Sequence, residues 1–582
     1  MQRILSQRPE FKLFLEKFPA GCPSWLFTLL VSAYLLIAFN GSFFTTVDKL
    51  HGMSGIESLT FMVSIFIFFW VLFNLILTLV AVPYVLKPIT IFILLASSIA
   101  TYFMHAYNIM IDKSMIQNLM ETDLQESQEL LNLSVVFYVL FKGLLPAVLV
   151  WMVPIRYGSI LQQGLIKTAT ALITVLIIGV VAMFFYQDYA SLFRNHRYIR
   201  NLIVPVNYMY SLESYAKQFL PKSDMAFKQL ATDARLGSAW NNVSDRKVVA
   251  VLVVGETARS ANFSLNGYQR ETTPALEAED IVSFTNFSSC GTSTAVSVPC
   301  MFSIKGRSDF ENSEERYTEN LLDALKHAGF RVLWRDNNSG CKGVCDRVEF
   351  ESTSRHPAPS LCEDGECFDM ALLDSLEQEI DASDKNTVIV LHQKGSHGPA
   401  YFLRVPKEFQ KYQPQCHTNQ LQECSRGEIT NAYDNTILYT DHFLSEVIQF
   451  LKQRSNKYDA SMIYVSDHGE SLGEHNLYLH GIPYMLAPEE QTHVPFILWM
   501  ADGFTSRFAI DKECLINKRQ DHFSQDNLFD SVLGMLDVET GIYRNDRDIF
   551  NGCRAPSNTV IAQQSASSAP QQKAPSTTQE KL

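Results

Sequence analysis

Three apolar runs of strand length each end in residues able to do chemistry. "VAVLVVGET" delivers Glu256, "TVIVLHQKGSHGP" delivers His392 and His397, and "SMIYVSDHGESLGEHNLYLHG" delivers Asp467, His468, Glu470, His475 and His480. Functional groups gather at strand ends in open α/β sheets, and carboxylates and imidazoles arriving from separate strands can surround one cation. A mixed oxygen and nitrogen set suits zinc best, or manganese where oxygen dominates. Taken singly, a glutamate after a strand is usually a helix cap or a solvated loop residue. The charged pair Asp467 and His468 is different, because a charge abutting a buried strand is awkward without a positive partner. Together the strand ends read as a metal site. His475 reads as surface, and Glu470 as a residue that caps or orients its neighbours.

A fourth stretch, "SSCGTSTAVSVPC" at 288–300, sets Thr292, Ser293 and Thr294 between two cysteines. A threonine hydroxyl holds its proton tightly at neutral pH and needs a base or a metal to act as a nucleophile. A helix starting at Thr294 would offer free amides and a positive dipole end to a phosphate, and a Cys290–Cys300 disulfide would brace the turn. Alone, "GTST" is a weak signal, since hydroxyl clusters commonly cap helices. The sequence has no phosphate-cradling loop of the nucleotide type and no G-x-S-x-G elbow.

The elements that must position these groups fall into two unlike regions. The chain has 582 residues and a net charge of −13; its mean hydropathy near zero averages an apolar first third with an ordinary soluble remainder from about Lys247. The acidic balance excludes a nucleic-acid stripe. Apolar stretches at Trp25 to Val47, Ser58 to Val82, Ile89 to Ile111, Ser134 to Ile155 and Thr168 to Tyr186 match the roughly 20 residues a membrane helix needs. Basic Arg3, Arg8, Lys12 and Lys17 place the N-terminus inside, as do Lys87 and the basic turn at Arg156 to Lys167. The acidic loop from Asp112 to Glu129 reads as outside, so an odd number of spans exports the C-terminal domain. Arg194, His196, Arg197 and Arg200 follow the fifth span on the outer side, against the charge rule. The first stretch lacks a small-residue cleavage pattern and reads as a retained anchor.

Cysteine usage agrees with export. Of the 11 cysteines, only Cys22 precedes the soluble domain. The others sit close together: Cys290 with Cys300, Cys341 with Cys345, Cys362 with Cys367, Cys416 with Cys424, and Cys514 and Cys553 left over. Such pairing in an exported domain means disulfides; a zinc site on these sulfurs would need thiolates that an oxidising compartment removes. The division expected is a transmembrane domain over 1–186, a linker with an interfacial helix over 187–245, a catalytic domain over 246–554 and a disordered tail over 555–582. In the catalytic part "KVVAVLVVG", "FRVLW", "TVIVLH", "SMIYVS" and "VPFILWM" are apolar on both faces, as buried parallel strands are, and alternate with helical segments.

At this point the motifs resemble a known family. "GETARSANFSLNGYQRETTP", "SCGTSTAVSVPCMFS", "WRDNNSGCKGVCD", "HQKGSHGPAY" and "YVSDHGESLGE" are similar to those of the phosphoethanolamine transferases that modify lipid A, including the mobile colistin-resistance enzymes. The resemblance covers nearly the whole chain. It implies an α/β/α periplasmic domain of the alkaline phosphatase and sulfatase type, anchored in the bacterial inner membrane by five helices. Thr294 corresponds to the family's nucleophile, and Glu256, Thr294, Asp467 and His468 to its zinc ligands. Substrate or second-metal roles are implied for His397 and His480, and substrate contacts for Ser339 and Lys342. Asn118, Thr122 and Glu126 match the family's lipid headgroup segment, although the residues by themselves read as a polar cap on a short loop. Asp309 stands where family members often carry a glutamate, which leaves that role open.

The implied reaction moves phosphoethanolamine from phosphatidylethanolamine to a phosphate of lipid A through a phosphoethanolamine-threonine ester, by a monomer. Less negative charge on the outer membrane would follow, and with it polymyxin resistance. A lipopolysaccharide core sugar as acceptor, a hydrolase of the same fold and an inactive envelope anchor are the alternatives.

Overall fold

The computed structural model describes residues 21–51, 55–122, 127, 130–217, 226–241, 245–353, 361–363 and 366–554. The basic leader (Arg3, Arg8, Lys12 and Lys17), Glu126 and the tail 555–582 lie outside the described residues. The chain divides into two compact units that are not contiguous in sequence. Residues up to Lys222 group with Cys416–Ile429 and Ser471–Leu486; Ser223–Gln415, Thr430–Glu470 and the chain from Ala487 form the other.

The first unit is helical: α1 (Ser24–Phe39), α2 (Gly41–His51), α3 (Ile56–Leu79), α4 (Leu86–Ala106), α5 (Lys113–Glu121), α6 (Leu133–Met152), α7 (Ile160–Asn195) and α8 (Val206–Lys217). Among the described residues, four helices are long and apolar enough to cross a membrane, five if the bent pair α1–α2 counts as one span. That first span differs from the straight helix its hydropathy suggests, because α1 and α2 meet at 65°. Asn40, fully buried at the bend, accounts for it. Its amide donates to Leu35 O at 3.1 Å and Val204 O at 2.9 Å, and its oxygen accepts the Val204 N–H at 2.9 Å. A carboxamide among apolar helices must find partners, and here it pairs with a distant peptide group. On α7, Leu172, Ile173, Val175, Leu176, Val180 and Met183 are exposed, as a lipid-facing surface requires.

The two later segments are tied into this unit by specific contacts. Cys416–Cys424 closes one of them. Ser134 donates to Gln420 Oε1 at 2.6 Å, Tyr107 to Asn419 O at 3.2 Å, and Asn108 Nδ2 to Asn476 O at 3.2 Å.

The second unit is built on a seven-stranded sheet. Its strands are β1 (Lys247–Gly255), β2 (Ile281–Phe284), β3 (Arg331–Asp336), β4 (Glu349–Ser352), β5 (Thr387–His392), β6 (Tyr458–Ser466) and β7 (Phe496–Met500). The order is β2-β7-β6-β1-β5-β3-β4. From β6 to β4 all neighbours are parallel; β7 is antiparallel to β6 and to β2. The buried run "VPFILWM" is therefore not one of the parallel strands it resembles. All five of its residues are buried, and β2 pairs along its outer edge, which makes it an interior strand. Helices α9 (Thr294–Met301) and α11 (Leu528–Met535) belong to this unit, as does α10 (Arg426–Lys452) from Thr430 onward. Val248, Ala250, Leu252 and Val254 of β1 join Phe302, Trp334 and Phe496 in one core.

Register does the positioning. His392 lies opposite both Val254 and Asp336, and Ser466 lies opposite Gly255, so four parallel strands end level with one another. Five disulfides form among the described residues: Cys290–Cys300, Cys341–Cys345, Cys362–Cys367 and the pair left unassigned by spacing, Cys514–Cys553, in this unit, and Cys416–Cys424 in the helical one. Cys22 is free.

Candidate active site

Glu256 is the first residue beyond β1 and Asp467 the first beyond β6. Thr257 takes a left-handed backbone (φ 58°), which turns its N–H to Asp467 Oδ1 at 3.1 Å while its hydroxyl bonds Glu256 Oε1. His468 donates Nδ1–H to Gly469 O at 2.9 Å. A carbonyl only accepts, so in the neutral ring Nε2 is the bare nitrogen, and it lies 3.4 Å from Asp467 Oδ2 and 3.5 Å from Glu256 Oε1. Thr294, the first residue of α9, puts its hydroxyl 3.1 and 3.3 Å from the Glu256 oxygens and 3.4 Å from His468 Nε2. Glu256, Asp467 and His468 are fully buried, whereas Thr294 is partly exposed.

This cluster fits a divalent cation. One ligand atom each from Glu256, Asp467 and His468 lies within 4.8 Å of the others. Asp467 Oδ2 is buried without a hydrogen-bond partner among the described residues, 3.4 Å from His468 Nε2. Burial, then the neighbouring Glu256, push the Asp467 carboxyl up to about 6. Two carboxylates buried side by side want a positive charge between them, and two oxygens, one imidazole and a hydroxyl make a four-donor set of the kind zinc takes. A second grouping, Cys290, Cys300 and Asp526, offers no thiolate because the sulfurs are bonded to each other.

Comparison with known proteins follows the same division of the chain. A family model described as Sulfatase matches residues 249–538, and one described as Phosphoethanolamine transferase EptA/EptB matches residues 69–220. Phosphoethanolamine transferase EptA of Escherichia coli (strain K12) is 39% identical over 557 residues, which is 95% of this chain and 99% of that protein. The chain belongs to the EptA family of phosphoethanolamine transferases. Phosphatidylethanolamine transferase Mcr-1 of Escherichia coli is 39% identical over 488 residues, 81% of this chain and 88% of its own. The solved structure of the integral membrane lipooligosaccharide phosphoethanolamine transferase A (EptA) from Neisseria meningitidis matches with a TM-score of 0.87 at 37% identity, covering 91% of this chain and 98% of that one. This EptA-family chain is thus a multi-pass inner-membrane enzyme with its sulfatase-like domain in the periplasm.

The other sequence-nominated residues of this EptA-family chain divide between the two units. In the sheet unit, Lys342 Nζ donates to Ser339 Oγ at 2.9 Å, on the loop closed by Cys341–Cys345. His397 is buried on the loop after β5, where the N–H of Ser396 donates to Glu256 O at 3.0 Å. Gly395 (φ 52°) makes that approach possible, since a Cβ there would meet Glu256 O at 2.7 Å. His392 points its Nδ1 at Asp336 Oδ2, 2.8 Å away. Burial draws its pKa down, but the adjacent Asp336 carboxylate outweighs this and raises it overall. Asp309 is exposed on its loop. In the helical unit, Thr122 spends its hydroxyl on Asn118 O at 2.7 Å, capping α5. A Cβ on Gly481, next to His480, would lie 3.1 Å from Met115 Cε and 3.8 Å from Asn118 Nδ2.

Two amides escaped the sequence reading. Asn338 Nδ2 donates to Glu256 Oε2 at 2.7 Å and to Gln393 O at 3.0 Å. Gln525, fully buried, accepts the Cys290 N–H at 2.7 Å and donates to Ser466 O at 2.7 Å and Asp467 O at 2.8 Å. It therefore clamps the threonine turn onto the end of β6. The only local signal was an "NNS" cluster after a strand for Asn338; Gln525 had none.

Proposed function

We propose that this enzyme moves phosphoethanolamine from phosphatidylethanolamine to a phosphate of lipid A through a covalent ester on Thr294. The observation that carries the reading is the Thr294 hydroxyl, part-exposed at a helix start, within 3.1 Å of Glu256 and 3.4 Å of His468 Nε2. The donor agrees with the name of Mcr-1 and the class of acceptor with that of the Neisseria relative.

Glu256, Asp467, His468 and Thr294 would hold zinc, which when bound lowers the hydroxyl's pKa and offsets charge on the phosphoryl oxygens. The hydroxyl proton of Thr294 passes first to Glu256, whose oxygens are its nearest acceptors. Thr294 Oγ1 then bonds phosphorus, the bond from phosphorus to the diacylglycerol oxygen breaks, and that oxygen leaves with a proton. His397 and His480 are the candidates for supplying it. The N-terminal amides of α9 face the phosphoryl group with the positive end of the helix dipole. Lys342, held by Ser339, supplies a further positive charge; Asn118 and Thr122, with Glu126, receive the donor's headgroup. In the second half-reaction a lipid A phosphate oxygen bonds phosphorus as the bond from phosphorus to Thr294 Oγ1 breaks; Glu256 returns the proton to Thr294, and the proton of the acceptor phosphate restores the histidine that served the leaving group. All four donors come from one chain, so a monomer is sufficient. The product carries less negative charge, which weakens the binding of polymyxins.

Mass spectrometry of lipid A tests the reading in a host that lacks its own transferase. Expression should add one phosphoethanolamine to a lipid A phosphate and raise polymyxin tolerance. Unmodified lipid A, with phosphoethanolamine released to water, would mean a hydrolase. Gln525→Leu leaves two buried carbonyls and one N–H without partners, so transfer should fall about 10- to 100-fold; activity within error of wild type in a reconstituted assay would show that the clamp does not matter.

A further inference from the structure

The end of α7 that leads to the periplasmic domain is basic. Arg194 lies in its last turn, and Arg197 and Arg200 lie on the 3₁₀ segment Arg197–Leu202 that follows. All three side chains are exposed, and among the described residues no carboxylate pairs with them. Nearby, Asp188 sits earlier on α7, and Glu213 is already paired with Lys217. Arginines are disfavoured beside the outer end of a span, so a cluster without an internal acid calls for an external anion. From Gln187 to Arg194 the helix rises about 10 Å at roughly 1.5 Å per residue, enough to carry the arginines through the headgroup layer. Next along the chain, α8 buries Asn207, Tyr208, Ser211 and Tyr215 and exposes Val206, Met209 and Tyr210 at 42%, 51% and 59%. That spacing makes one apolar stripe, of the kind that lies in a lipid interface.

We propose that Arg194, Arg197 and Arg200 form a docking surface for the phosphates of the acceptor glycolipid in the outer leaflet of the inner membrane, with Val206, Met209 and Tyr210 against its acyl chains. The proposal rests on the reading of lipid A as acceptor. Guanidinium forks match phosphate oxygens. Unmodified lipid A brings two phosphate groups to them, whereas phosphatidylethanolamine is zwitterionic and gains little. The surface therefore tells acceptor from donor by charge, and it loosens its hold once phosphoethanolamine has been added.

The test uses full-length enzyme in phosphatidylcholine vesicles carrying phosphatidylethanolamine and bisphosphorylated lipid A. In the combined Arg194→Gln, Arg197→Gln, Arg200→Gln variant, KM for lipid A should rise about tenfold, while kcat and KM for phosphatidylethanolamine stay within about twofold. The matching triple Arg→Lys variant should recover most of the loss. An unchanged acceptor KM in the glutamine variant, at wild-type melting temperature, overturns the proposal. Phosphatidylglycerol separates the specific surface from a general anionic anchor: adding it should leave the wild-type acceptor KM within about twofold, and a tenfold rise overturns the proposal. Failure of the wild type to transfer to lipid A at all overturns the acceptor assignment as well, and is read before the variants.

Discussion

Thr294→Ala abolishes transfer, by about 10⁴-fold or more on the scale of lost catalytic nucleophiles, and leaves lipid A at its original mass. The protein itself should remain folded, because Thr294 is partly exposed and among the described residues its hydroxyl hydrogen-bonds only Glu256 and His468. Thr294→Ser keeps an oxygen in place and should retain measurable activity. Intact-protein mass spectrometry of the wild type incubated with phosphatidylethanolamine alone should reveal one phosphoethanolamine adduct that maps to residue 294 and disappears on adding lipid A. An alanine variant with full activity would falsify the covalent route.

Asp467→Asn has the second largest effect, and its sign depends on the metal. In zinc-loaded protein the substitution removes a ligand, so zinc content, melting temperature and transfer should all fall, with affinity lost by more than the roughly 10- to 100-fold typical of residues one step removed from a metal. In metal-stripped protein it removes one of two carboxylates buried together, so the melting temperature should hold or rise. Thermal melts with and without chelator, beside metal analysis by mass spectrometry, read both arms. A fall of equal size in both would mean that Asp467 supports the fold and not the ion.

What could be read in the sequence, and what could not, has a physical basis. β1, β5 and β6 are continuous apolar runs because they are covered on both faces, and each leads into a charged loop; Glu256, Asp467 and His468 were therefore visible as a converging group. β2 and β4 were not, because "IVSF" alternates and "EFES" is a polar edge, neither long enough to stand out. The direction of β7 leaves no local trace either, since a strand buried on both faces reads the same whichever way it runs. Asn40 bends the first span, yet a hydropathy window averages one amide into its apolar neighbours. Asn338 and Gln525 matter only through the groups they face, Glu256 in one case and the Cys290, Ser466 and Asp467 backbone in the other. Those pairings are set by tertiary placement; the "NNS" cluster at Asn338 hints at a polar loop without naming its partner, and Gln525 carries no mark at all.

The helical unit draws part of its substance from Cys416–Ile429 and Ser471–Leu486, which the ribosome makes long after the spans have entered the bilayer. Membrane insertion alone thus yields an unfinished bundle, with the sites on Tyr107, Asn108 and Ser134 waiting for polypeptide that has yet to be secreted and oxidised. Maturation of the embedded half is then hostage to the periplasm's thiol-oxidising machinery, and truncated chains that stop before these segments would present quality-control proteases with an incomplete surface.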